Sequence, residues 1–216
     1  MPKSSFVRIA GILCIAGALI AMAANALSAR AEPAVAEDVI SYPLSPGVFV
    51  VAQVLFSITQ AMMLMGVLGL ARTHAIGRNR LATIGAWLAV IGIGLTVPGE
   101  LGLGIIASSE TDSTSAMIVS TFFGLATLVG SLGLILAGIG VIRARVWTSW
   151  RRFAPLIAGG YYFVVLLPVF IAAGVGNLWA ITGWNLCFIL LGLALLHHTS
   201  TTVHETTEPS EPDSKP

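Results

Sequence analysis

Glu100 is the one acidic residue inside a long apolar run, in the string Pro98-Gly99-Glu100. A charged group at bilayer depth costs at least about 2.5–3.5 kcal/mol on insertion scales and marks function more often than chance. Pro98 removes a backbone donor and is expected to kink a helix here. The chemistry on offer is binding of an ion, a proton or a small ligand beside an interrupted helix. A plainer reading stands next to it. Counted from Leu81 at about 1.5 Å per residue, Glu100 lies about 29 Å along its helix, close to the outer interface, where a carboxylate reaches water.

Other polar side chains fall at the same depth. Gln53, Ser57 and Gln60 are spaced i, i+4, i+7 and therefore share one helix face. Asn25 lies near the outer end of the first apolar run, and Asn177, Thr182 and Asn185 in the outer part of the last. With Glu100, the residues Gln53, Gln60 and Asn185 are the candidate ligand or ion site. Tyr161, Tyr162 and Pro168 are possible additions to it. The alternative is that these amides and hydroxyls join helices, at about 0.6 kcal/mol per hydrogen bond.

No catalytic set accompanies them. The sequence contains no G-x-S-x-G, H-E-x-x-H, P-loop or G-x-G-x-x-G string, and no nucleophile paired with a base. His74, His197, His198 and His204 have no carboxylate or thiol at ligand spacing, so no metal site is expected. Cys14 and Cys187 both lie in apolar runs and read as small packing residues. No cofactor is implied.

The elements that must position these residues follow from composition. Of 216 residues, 56% are hydrophobic and 10% are charged. A soluble domain of this length carries about 54 charged residues, whereas this chain has 11 basic and 10 acidic. The mean hydropathy is +0.91. Too little polar surface exists to clothe a water-soluble globule, and a net charge of +1 offers no face for nucleic acid. Six apolar runs are long enough to span a bilayer: about 9–28, 48–71, 81–107, 116–142, 153–175 and 178–196. They are continuously apolar rather than alternating, which predicts helices and not a β-barrel. The expected fold is an all-α integral membrane bundle of six transmembrane helices with short loops.

Orientation follows from the arginines and lysines. With six spans, ten of the eleven basic residues fall on one side and only Arg30 on the other. Both termini are therefore expected in the cytoplasm. The acidic segments 29–47 and 108–115 then lie outside, and Trp147, Trp150 and Trp179 are expected to anchor at the interfaces. The first run has a second reading. Lys3 and Arg8, an apolar stretch and Ala29-Arg30-Ala31 resemble a signal peptide cleaved before Glu32, although the stretch is longer than such peptides use. The tail 199–216 is rich in Thr, Glu, Ser and Pro and is expected to be disordered.

Arg8, Arg80 and Arg152 open the odd-numbered runs at a spacing of 72 residues, which suggests helical hairpins repeated in parallel. Small-xxx-small pairs at Gly85/Ala89 and Gly133/Ala137 suit close helix contacts.

The strings Arg8-Ile9-Ala10-Gly11, Gly66-Val67-Leu68-Gly69-Leu70-Ala71-Arg72 and Arg80-Leu81 give the chain, over most of residues 6–196, a family likeness. It resembles multi-pass, six-helix membrane proteins of actinobacterial type classed as domains of unknown function. The resemblance implies a helical membrane fold in a bacterial plasma membrane and transfers no catalytic residue. The expected role is a non-enzymatic membrane component or accessory subunit, with the lipid bilayer and a membrane-protein partner or second copy as its partners. The alternatives are a small-solute, ion or proton carrier using Glu100, and a membrane-embedded enzyme acting on lipid or quinone.

Overall fold

The structure is a computed structural model in which residues 3–77, 79–173 and 177–205 are described. It is all-helical, and among the described residues the β-type pairing is one isolated bridge, Val39 with Glu110. Six helices are long and apolar enough to cross a membrane. They are α1 (Lys3–Ser28), α2 (Pro46–Arg72), α3 (Arg80–Ile105), α4 (Thr114–Ala144), a composite α5, and α6 (Leu178–Glu205). Helix α5 begins with a 3-10 turn, Ser149–Phe153, and continues as Ala154–Tyr161. A π-helical stretch follows, Tyr162–Leu166, then a last α-helical part, Leu167–Ala173.

Local chemistry sets the ends. The Asn79 side chain accepts from the Leu81 amide at 3.0 Å, and the Ser113 hydroxyl from the Ala116 amide at 3.3 Å, so α3 and α4 start on side-chain caps. Helix α2 starts on Pro46, a residue suited to a first turn. Helix α3 stops at Ile105, two residues before the expected boundary, because Ala107 leaves the helix to accept a hydrogen bond from Ser41. Helix α6 runs on to Glu205, beyond the expected end at residue 196. The first part of the expected tail, 199–205, is thus helical, and the remainder lies outside the described residues.

Consecutive helices pack as neighbours, and α6 closes the bundle against α1. The tightest pair is α3 with α4. The two small-residue pairs interlock there: a side chain on Gly85 would lie 2.8 Å from the Ala137 amide nitrogen, and one on Gly133 would run into the backbone of Ala89. Packing is inverted relative to a soluble protein. Alanines and glycines line the contacts, while Ile105 (85% exposed), Ile171 (79%) and Val164 (75%) face outward. Apolar surface turned outward on all helices is what a hydrocarbon surround solvates.

One end of the bundle carries Arg72, Arg80, Arg143, Arg145, Arg151 and Arg152, and the other carries Glu32, Glu37, Asp38, Glu110 and Asp112. At the acidic end the long α1–α2 connection is folded into a cap. Ile40 and Ser41 donate to the Ser109 and Ala107 carbonyls at 3.0 and 3.2 Å, and Thr111 donates to the Asp38 carbonyl at 2.8 Å.

The 72-residue spacing does not reproduce the contact register of the first hairpin in the second. Gly66 of α2 sits against Cys14 of α1. The same pair moved on by 72 would be Gly138 against Ala86, but Gly138 lies against Leu156 of α5, and Gly85 faces Ala137. In the third hairpin Gly183 of α6 lies against Tyr161 of α5.

Candidate functional site

The polar residues of α2 and α3 meet along one seam beneath the acidic-end cap. Gln53, Ser57 and Gln60, on one face of α2, are all buried and all turned toward the last turns of α3. The Ser57 hydroxyl donates to the Val97 carbonyl at 3.0 Å. The Gln60 amide nitrogen donates to Glu100 Oε1 at 3.4 Å. Gln53 packs on Gly104, whose missing side chain would lie 3.5 Å from the Gln53 Cβ.

Glu100 is 8% exposed and lies five residues before the end of α3. The Gln60 amide is its side-chain partner. The expected break at Pro98 does not appear as an interruption: α3 is continuous through it. Proline leaves one carbonyl of the preceding turn without its helical donor. That carbonyl is Gly94's; the nearby hydroxyls bond other carbonyls, Ser57 at Val97 and Thr96 at Ile93 (2.7 Å). Gly99 makes room for the Phe123 ring of α4, which closes the seam on its other side.

Two acceptors of the seam lack a donor. Gln53 Oε1 and Gln60 Oε1 are buried without a hydrogen-bond partner. Each of them, like the Glu100 carboxyl, can still accept from a donor such as an ammonium group, a small cation or a water. Asn25 Nδ2 on α1 and the Ser41 hydroxyl in the cap are also buried and unpartnered. Among the described residues, no group of three His, Cys, Asp or Glu converges on a metal-binding position.

The other candidates go elsewhere. Asn185 is buried on α6, a helix whose side-chain hydrogen bonds to other helices run to α1 and α5, and it bonds to none of Gln53, Gln60 or Glu100. Asn177 caps α6 by accepting from the Ala180 amide at 3.1 Å, and Thr182 bonds to its own helix at Leu178. Tyr162 is buried edge-on to Phe163, and the Tyr161 ring fills the space left by Gly183. Trp150 and Trp179 are exposed, whereas Trp147 is 2% exposed and belongs to the core rather than an interface. Cys14 donates to the Phe188 carbonyl at 3.3 Å, and both cysteines are free and buried. Thr96 and Ser41 were missed by sequence reasoning. Thr96 sits one turn from Glu100 on the same face, a spacing that could have revealed it; Ser41 depends on a non-local pairing and had no such signal.

Comparison with protein-family models, with curated proteins and with solved structures gave no match.

Proposed function

We propose that this chain is a multi-pass integral membrane protein of a bacterial plasma membrane, with both termini in the cytoplasm, acting as a non-enzymatic component with partners in the bilayer. The observation that supports it best is how the buried polar side chains are used. Ser57–Val97, Gln60–Glu100, Cys14–Phe188 and Trp184–Ala158 each tie one helix to another. They do not converge on a point where a substrate would react. The concentration of arginines at one end supports the orientation. Helix α1 supports retention of the N-terminal segment, since Ala10, Cys14 and Ala18 are fully buried in the bundle. Purification in mild detergent should give a stoichiometric partner or a defined homo-oligomer by light scattering; a clean monomer without partner argues against this role. Cysteines introduced at Thr148 and Asp112 should label from opposite faces of sealed membranes, and labelling from one face refutes the six-span arrangement.

A second reading is favoured by the unpartnered Gln53 and Gln60 oxygens beside Glu100. On this reading the seam takes up a proton or small cation and the chain is a carrier. Glu100→Gln in proteoliposomes should abolish cation-coupled flux of a parent that shows it. Unchanged flux discards the carrier.

A further inference from the structure

The connection between α4 and α5 is short and firmly held. Arg145 ends α4 in the left-handed region at φ 55°, and Ser149 follows at φ 59°. Two non-glycine residues so close together in a conformation that side chains rarely adopt persist only when the surroundings hold them. Trp147, buried between them, is one such anchor. The Arg151 guanidinium donates to the Thr148 hydroxyl at 2.9 Å and is another.

Cations surround this fixed turn. Arg143, Arg145 and Arg152 are exposed and Arg151 is half-buried. The Arg152 guanidinium lies 4.7 Å from the centre of the Phe153 ring. Across the same end, Arg72 lies 4.5 Å from the Phe6 ring. Among the described residues none of these arginines forms an ion pair. Exposed Trp150, set edge-on to His197 at 6.3 Å, places an amphipathic ring at the same level.

We propose that the α4–α5 turn is a binding site for the phosphate of an anionic phospholipid. Guanidinium groups match phosphate oxygens in charge and geometry. Exposed Trp150 and Phe153 beside them fit the glycerol and upper acyl region of a lipid, which a free phosphate ion lacks. The site rests on the membrane reading above, because only a chain seated in a bilayer brings this turn to headgroup level.

The test uses the full chain in a neutral detergent, titrated with phosphatidylglycerol, phosphatidylcholine or inorganic phosphate and followed by native mass spectrometry. Phosphatidylglycerol should be retained in clear preference to phosphatidylcholine. Each arginine near an anionic surface contributes about five-fold, so Arg145→Gln, Arg151→Gln and Arg152→Gln together should weaken retention about 100-fold at low salt. Lysine at the same three positions should keep most of it. Equal retention of the two lipids, or a glutamine triple that binds like the parent, overturns the site. Displacement of the lipid by inorganic phosphate at equal concentration overturns the lipid as its ligand. Should the glutamine triple not fold, salt carries the test in the parent: a preference that does not fall with rising salt overturns the site. Alkaline extraction of membranes reads the membrane assignment separately; release of the chain into the soluble fraction refutes that assignment whatever the lipid result.

Discussion

Gly92→Ala should damage this bundle more than any other single methyl addition of its kind. A Cβ at Gly92 would fall on the backbone nitrogen and Cα of Gly130 and 2.7 Å from the Ala126 carbonyl oxygen. These are main-chain atoms, so no rotamer change relieves the clash, and α3 and α4 must separate by about 1 Å to reach ordinary contact. A gap of that size forfeits a quarter to a half of each atom pair's attraction. If about 30 pairs along the seam each lose a third of ~0.15 kcal/mol, the loss is about 1.5 kcal/mol. Residual repulsion of the kind seen in overpacked cores adds a similar amount, giving about 3 kcal/mol in all. Two controls isolate the cause. A Cβ at Gly124 meets nothing within 4 Å, and one at Gly94 meets only Leu64 at an ordinary 3.7 Å. Both alanine variants should be neutral or slightly more stable, because alanine is the better helix former. Thermal or SDS-driven unfolding in detergent, followed by tryptophan fluorescence, measures the three together. If Gly92→Ala unfolds within about 0.5 kcal/mol of Gly124→Ala, the close α3–α4 approach is wrong.

Three further outcomes are expected. Trp147→Ala should cost about 3–5 kcal/mol, as for other buried aromatics, while Trp179→Ala, at 76% exposure, should stay within about 0.5 kcal/mol in the same unfolding assay. A double-mutant cycle on Gln60 and Glu100 should give a coupling near 0.6 and below about 1.7 kcal/mol, the range of hydrogen bonds between membrane helices; zero coupling means that the bond is not made. Cys14 and Cys187 are both buried, so a permeant maleimide should leave both unlabelled by mass spectrometry until SDS is added. Rapid native labelling of Cys14 would show that α1 is not packed against α2 and α6.

The number of the helices and the position of their apolar cores were legible, because a run of about 20 apolar residues can satisfy its backbone internally only as a helix; the polar extensions of α1 to Lys3 and of α6 to Glu205 were not. The small pairs Gly85/Ala89 and Gly133/Ala137 were legible as contact surfaces, but not that they lock into each other. Hydropathy carries no information about which helix stands beside which. For the same reason Gln53, Ser57 and Gln60 could be placed on one face by their spacing, and Glu100 near the end of its helix by its rise. Asn185 could not be assigned to a different neighbour, because that depends on how α6 closes the bundle onto α1. Trp147 looked like an interface anchor because it sits among arginines; its burial depends on the backbone reversal at Arg145 and Ser149. The cap was read as a mere connection, since its pairing joins residues 38–41 to 107–111.

The unmatched groups have a common logic. Gln53 Oε1, Gln60 Oε1, Asn25 Nδ2 and the Ser41 hydroxyl are buried toward the acidic end without partners, beside a carboxyl whose side-chain partner is one amide. The basic end presents exposed guanidinium groups that form no ion pair among the described residues. The chain cannot cure either imbalance by repacking: Gly85, Gly92, Gly130 and Gly133 hold α3 and α4 at backbone contact, and the hydroxyl bond from Ser57 pins α2 to α3. A frame so held leaves unmatched donors and acceptors at one end and, among the described residues, arginines without ion pairs at the other, and other molecules can satisfy both.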